Sequence, residues 1–162
     1  GIVAETNGRI EEALAYYEAV LAGVTEWEEV WNYHRTRISI GRLKLGLKHT
    51  QEALEIFQAT LQSLQKNPQL GLEIDCFVEI AFVLKLRGET ALAYVLLEYC
   101  STHPDCFQST RDRAATYLST LNAEILDIQI TLTRNLFPLN KNEVVDMLLN
   151  RLGNARNAFP SQ

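Results

Sequence analysis

Three segments of the chain share one pattern of small and large apolar positions. They read NGRIEEALAYYEAVL from residue 7, KHTQEALEIFQATL from residue 48 and RGETALAYVLLEYC from residue 87. In each, a small residue five positions after a turn residue is followed four positions later by a large side chain: Ala13 with Tyr17, Ala53 with Phe57, Ala93 with Leu97. The interval between successive alanines is constant, and a spacing of four places each pair on one helical face. The pattern predicts three equivalent helices that pack through small residues.

A second amphipathic helix is expected before each of the last two segments. Within residues 73–86, apolar and small side chains occur at offsets of 0, 3, 4 and 7, as Phe77, Ile80, Ala81 and Leu84. One period earlier, the small residue recurs as Gly41 and its apolar predecessor as Ile40, whereas the two flanking positions differ. The repeat therefore predicts a helix around Gly41.

Two stretches also fit a strand. Residues 37–47 and 125–133 alternate apolar and polar side chains, which is typical of a half-buried strand. A hairpin that turns at Gly41 is the alternative for the first stretch. We favour a helix there because the register of the repeat places one at that point. The second stretch is interpreted as a helix without that support.

A helical pair of this kind resembles the tetratricopeptide repeat, whose second helix opens with G-x-x-x-x-A-x-x-x-[FY]. The matching positions are Gly8, Ala13 and Tyr17, then Ala53 and Phe57 with Lys48 in place of glycine, then Gly88 and Ala93 with Leu97 in place of the aromatic residue. The period of 40 exceeds the usual length of about 34 residues. Longer repeats are similar to those of bacterial signal-transduction ATPases and transcriptional activators.

The resemblance implies an all-α chain of about seven helices in antiparallel pairs, stacked as a right-handed superhelix. It also implies a protein-binding role in signal transduction or transcription regulation. We expect residues 1–104 to hold three repeats, the first of them truncated. Residues 105–162 should hold a degenerate fourth repeat and a C-terminal capping helix of the same solenoid. Capping signals are expected at Thr25 with Glu28, Ser109 with Asp112, and Asn140 with Glu143.

Charge is unevenly distributed along the 162 residues, whose net charge is −5. Residues 1–29 contain seven glutamates and one basic residue, whereas residues 30–51 contain five Lys and Arg residues and no acid. Either the acidic helices dock beside the basic one, or the basic strip receives an acidic partner. The acidic total does not favour nucleic acid as that partner.

The residues expected to bind a partner lie beside the packing stripes of the first helices. They are Arg35, Ile38, Arg42, Val78 and Phe82, which we expect to line one concave surface for a peptide with an acidic residue beside apolar ones. A structural linker or oligomerisation solenoid is one alternative. A small-ligand sensor with a pocket around Trp27 and Trp31 is another. Because the chain starts at Gly1 and its one methionine is Met147, we expect a fragment of a larger regulatory or scaffolding protein.

Catalytic motifs are not found in the sequence. It has no Gly-rich phosphate loop, no G-x-S-x-G and no H-E-x-x-H, so we expect neither an enzyme nor a bound cofactor. Cys100, His103 and Cys106 form C-x-x-H-x-x-C, which would suit zinc with a fourth ligand, but a turn between helices is the favoured interpretation. Three cysteines favour free thiols in the reducing cytoplasm, and no apolar run is long enough to span a membrane.

Overall fold

The computed structural model describes residues 2–25, 29–121, 127–138 and 140–154, without the side chains of residues 2–5, 128 and 154. Within those ranges every regular element is a helix, so the predicted all-α class is confirmed, with one helix more than expected. The eight helices are α1 (Ile2–Ala22), α2 (Val30–Gly46), α3 (Thr50–Leu64), α4 (Leu70–Leu86), α5 (Thr90–Thr102), α6 (Gln108–Leu121), α7 (Asp127–Leu136) and α8 (Lys141–Asn154).

The period of the sequence is present in the backbone. Helix α4 begins and ends one full period after α2, at residues 70 and 86 against 30 and 46, and α5 begins one period after α3. Residues 37–46 belong to α2, so the helix predicted around Gly41 is confirmed and the hairpin is wrong. The part of residues 125–133 that the structure describes is also helical, in α7.

The same turn ends α2 and α4. Its central residues, Lys48 and Gly88, are one period apart and both have positive φ, 64° and 82°. In each turn this residue donates its N–H to the carbonyl three positions back, and the next residue donates to the carbonyl five positions back; the four bonds measure 2.9–3.0 Å. This is the Schellman motif, in which glycine is usual because an L side chain is strained at positive φ. Lys48 adopts the same conformation at an energetic cost.

The chain forms two compact units, Gly1–Leu72 and Glu73–Gln162. In the first unit, α1 packs on α2 and α2 packs on α3. In the second, α5 packs on both α6 and α7. The division falls inside the first turn of α4, and the boundary that we expected between residues 104 and 105 lies within the second unit.

The core of the first unit depends on a glycine. Gly41 of α2 is buried against Phe57 of α3, and a Cβ atom at position 41 would lie 2.7 Å from Cζ of that ring. The helices approach this closely because Gly41 has no side chain, as the repeat pattern indicated. In the second unit the equivalent positions are Ala81 and Leu97, which are also buried.

The alanines of the repeat differ in burial. Ala53 and Ala93 are completely buried on α3 and α5, as expected of equivalent packing positions. Ala13 and Tyr17 on α1 are half-buried. The expected turn at Gly8 is wrong, since α1 continues from Ile2 to Ala22 through this residue.

The capping predictions had mixed outcomes. Asn140 caps α8, because its Oδ1 accepts a hydrogen bond from the N–H of Glu143 at 2.9 Å, and Val144, Leu148 and Leu152 along one face of this helix are buried. Ser109 lies one residue inside α6, which begins at Gln108. Helix α2 begins at Val30, several residues after the box predicted at Thr25. The second member of that box, residue 28, lies outside the described residues.

Candidate functional site

Three of the residues expected to bind a partner lie on α2. Helical spacing places Arg35, Ile38 and Arg42 on one face of this helix, together with Trp31. Arg35 is exposed and Trp31 is 39% exposed, whereas Arg42 is half-buried and donates from Nη2 to Ser39 Oγ at 3.1 Å. Ile38 is fully buried and belongs to the core. The side chains of this face that reach the surface are therefore Trp31, Arg35 and part of Arg42, which we call the α2 surface.

Other basic side chains of α2 interact within the first unit. The guanidinium carbon of Arg37 lies 5.7 Å from the centroid of the Tyr33 ring, a cation–π distance. Lys44 Nζ pairs with Glu52 Oε2 of α3 at 3.0 Å, and hydrogen bonding to Lys44 lowers the pKa of the Glu52 carboxyl. Lys44 is therefore neutralised by an acid of α3, which lies outside the acidic stretch of residues 1–29 that was expected to neutralise α2.

The other two expected binding residues lie on α4, on the helical face that contacts α6. Val78 is fully buried, and Phe82 is half-buried, with its ring centroid 5.0 Å from that of Tyr117 on α6. One turn further along, Lys85 Nζ donates to Thr120 Oγ1 at 2.8 Å. We expected this face of α4 to be open to a partner. Instead it is occupied by α6 of the same unit.

The reason is a pair of buried carboxylates on that face of α4. Asp75 is 6% exposed and Glu79 is completely buried. Arg113 of α6 donates to both, from Nε to Glu79 Oε1 at 3.0 Å and from Nη2 to Asp75 Oδ1. The hydroxyl groups of Tyr117 and Thr110 donate to Glu79 and Asp75, each at 3.2 Å. Because a buried carboxylate is costly unless it is paired and hydrogen-bonded, these contacts favour α6 in this position.

The C-x-x-H-x-x-C segment forms the loop between α5 and α6. Cys100 and Cys106 are buried, and burial raises the pKa of both thiols. His103 Nδ1 accepts a hydrogen bond from the N–H of Asp105 at 3.1 Å, and Arg111 donates to the carbonyls of Ser101 and His103 at 3.0 and 3.2 Å. The described residues contain no group of three or more His, Cys, Asp or Glu side chains that could hold a metal ion. These contacts support the turn interpretation.

The second unit has a groove that the sequence analysis missed. It lies between the start of α5, helix α7 and helix α8, with a volume of about 640 Å³. Its apolar lining comes from Leu92, Leu132, Leu136, Phe137 and Met147. Leu132 and Leu136 are one turn apart on α7 and remain 59% and 86% exposed. An exposed apolar face beside a hollow is a recognised mark of an interaction site.

An ion pair lies at the edge of this groove. Arg151 of α8 donates from Nη1 to Oε1 of Glu89, the residue that precedes α5, and both side chains line the groove. They are 48% and 27% exposed, so both are accessible to a partner. The groove therefore combines an apolar surface with one positive and one negative side chain, and we call it the α7 groove.

A signal for the α7 groove existed in the sequence. Leu132 and Leu136 repeat at a spacing of four in a short helix, which marks one apolar face. The strand-like alternation over the same stretch obscured this face. The other candidate, a platform of Trp27 and Trp31, is described only for Trp31, since residue 27 lies outside the described residues.

These observations define an all-α protein in which the helix pair α2–α3 recurs one period later as α4–α5. Comparison with protein-family models, with curated proteins and with solved structures found no match. None of the helices in the described ranges is long and apolar enough to cross a membrane.

Proposed function

We propose that this chain is a non-catalytic protein- or peptide-binding module of the tetratricopeptide-like type, working in the cytoplasm within a larger regulatory or scaffolding protein. Two features support the relationship: the Schellman turns at Lys48 and Gly88, one period apart, and the small residue, Gly41 or Ala81, at equivalent places on α2 and α4. Three free, buried cysteines are in keeping with a reducing compartment.

The observation that carries the binding proposal is the α2 surface. An exposed tryptophan and two arginines on one helical face provide apolar contact area beside donors for a carboxylate, while residues 30–51 contain no acid. Arginine binds a carboxylate through two parallel hydrogen bonds, and Trp and Arg are among the residues most enriched where binding energy is concentrated. The proposed partner is therefore a peptide with acidic residues beside apolar ones. Of the five residues selected from sequence, Arg35 and Arg42 remain in the proposal, and Trp31 joins them.

The test uses an array of synthetic peptides composed of Leu, Phe and Glu, with matched peptides in which Lys replaces Glu. We expect wild-type protein to bind the acidic set, and to bind it more weakly as salt concentration rises. Trp31→Ala should weaken binding more than Arg35→Gln or Arg42→Gln, because an exposed ion pair contributes only about 0.2–1 kcal/mol.

The control for these variants is Lys66→Gln, which removes an exposed positive charge after α3. It should bind as the wild type does. Equal binding of the acidic and basic peptide sets would refute the proposal, and so would unchanged affinity in all three α2 variants.

A further inference from the structure

The α7 groove carries an inference beyond the proposed function. Leu132 and Leu136 protrude from α7 directly beside the hollow that Phe137 and Met147 line. One surface thus contains both the projecting side chains and the space that could receive them. An isologous interface uses the same patch on both copies. That patch must therefore contain both the side chains that project and the hollow that receives them.

The charges at the edge of the groove select the occupant. Among the residues that line the groove, Arg151 and Glu89 provide one positive and one negative side chain, which interact within the chain. The second carboxylate oxygen of Glu89 is buried and lies 3.8 Å from Nε of Arg87, which does not line the groove. A strongly acidic partner would match Arg151 but would be repelled by Glu89, and a strongly basic partner would meet the reverse conflict. A face that bears both charges can pair with a copy of itself across a twofold axis that brings each charge opposite the other.

We propose that the α7 groove is the contact surface between two copies of this chain, related by a twofold axis. The leucines of α7 from each copy enter the groove of the other. Arg151 of each copy pairs with Glu89 of the other copy, replacing the contact that the two make within one chain. This proposal is independent of the peptide-binding proposal, which concerns α2.

The first experiment measures molecular mass by sedimentation equilibrium over a wide range of protein concentrations. We expect wild type to dimerise as concentration rises, and Leu136→Glu to remain monomeric. Because Leu136 is 86% exposed, this change should leave the circular dichroism spectrum and thermal unfolding unaltered. The matched control is Leu86→Glu at the end of α4, which alters an exposed leucine, 52% accessible, that does not line the groove. It should dimerise as the wild type does.

A charge exchange tests the twofold pairing. Arg151→Glu and Glu89→Arg should each weaken dimerisation, because like charges then face each other across both halves of the interface. An equimolar mixture of the two variants should form heterodimers, visible by native mass spectrometry as a species with one copy of each mass. Within either single variant, positions 89 and 151 carry the same charge and cannot pair. Restored dimerisation in the mixture would therefore show that these positions pair between chains.

Cross-linking gives a second readout at the same place. The three native cysteines are buried, so Leu136→Cys places the only accessible thiol of the described residues on α7. A short bismaleimide should link two copies of this variant and should not link Leu86→Cys. Monomeric wild type at every concentration would overturn the proposal. Undiminished dimerisation of Leu136→Glu, equal loss in Leu86→Glu, or failure of the mixed charge variants to pair would overturn it as well.

Discussion

The contact between Gly41 and Phe57 allows the helix-pair packing to be measured. We expect Gly41→Ala to destabilise the first unit even though alanine favours a helix more than glycine does by about 1 kcal/mol. The added methyl would lie 2.7 Å from Cζ of Phe57, well inside the 3.4–4 Å of ordinary van der Waals contact. Phe57 is completely buried, so its ring can move only if its neighbours also move. Overpacking of this kind costs about 1–3 kcal/mol, which leaves a net loss of about 1 kcal/mol.

The second helix pair suggests how the loss can be reversed. At the positions equivalent to Gly41 and Phe57 it has Ala81 and Leu97, a larger first residue with a smaller second one. Phe57→Leu alone should cost about 1–2 kcal/mol through lost contacts and unfilled volume. In the double variant the new methyl group occupies part of that volume. The double variant should therefore be more stable than the sum of the single changes predicts, by about 1 kcal/mol.

The assay is urea unfolding of the four proteins in this cycle. Tryptophan fluorescence reports on the first unit, because residues 27 and 31 are the only tryptophans of the chain. The control is Gly8→Ala in the interior of α1, where an added Cβ meets nothing within 4 Å; it should stabilise by about 0.5–1 kcal/mol. Additive effects of the two changes, within about 0.3–0.5 kcal/mol, would refute the idea that these residues exchange volume. Stabilisation by Gly41→Ala would refute the close approach itself.

Three further predictions concern a turn, a buried ion pair and the thiols. Lys48→Gly should stabilise the chain by about 1 kcal/mol in urea unfolding, because Lys48 holds a φ of 64°; no gain would mean that the turn is unstrained. Arg113→Met should lower the free energy of unfolding by about 3–5 kcal/mol, because it leaves the Asp75 and Glu79 carboxylates buried without this cation. The control Arg134→Met breaks an exposed pair with Glu98 and should lower it by at most about 1 kcal/mol. Similar losses of stability in the two variants would contradict the buried-pair argument. Burial raises the pKa of Cys100 and Cys106, so the thiols of the native protein should react slowly with an aromatic disulfide reagent and quickly after unfolding. For the same reason, the free energy of unfolding should fall as pH rises above the pKa of the unfolded thiols. Rapid reaction of the native protein would show that these buried sites open.

The sequence contained enough information to predict the helix pairs. In a repeat, one stretch of sequence can be aligned with equivalent stretches elsewhere in the chain. For residues 37–47 this alignment predicted a helix, whereas the local alternation of apolar and polar side chains predicted a strand. The repeat also predicted that Gly41 and Phe57 lie at packing positions, although it did not predict that the two contact each other. Both results depend on short-range spacing along a helix, which sequence expresses directly.

The open surfaces were harder to predict because they depend on which helix lies beside which. Val78 and Phe82 were expected to face a groove, yet this face of α4 packs against α6. A signal was present, since Asp75 and Glu79 stand in the middle of a largely apolar helix and acids in such a setting require partners. Their partner Arg113 lies far along the chain, in a different helix, and helical periodicity does not report a contact of that kind.

The exposed leucines of α7 lie in the part of the chain where the repeat becomes irregular. Helices α4 and α5 begin at Leu70 and Thr90, and α6 and α7 follow at Gln108 and Asp127, slightly less than one period later, where a degenerate fourth repeat was predicted. Leu132 and Leu136 lie one turn apart on α7 and are 59% and 86% exposed. Two large apolar side chains on one exposed face favour a second protein surface as their cover. The opposite charges of Arg151 and Glu89 at the groove edge are the reason why we propose another copy of this chain as that surface.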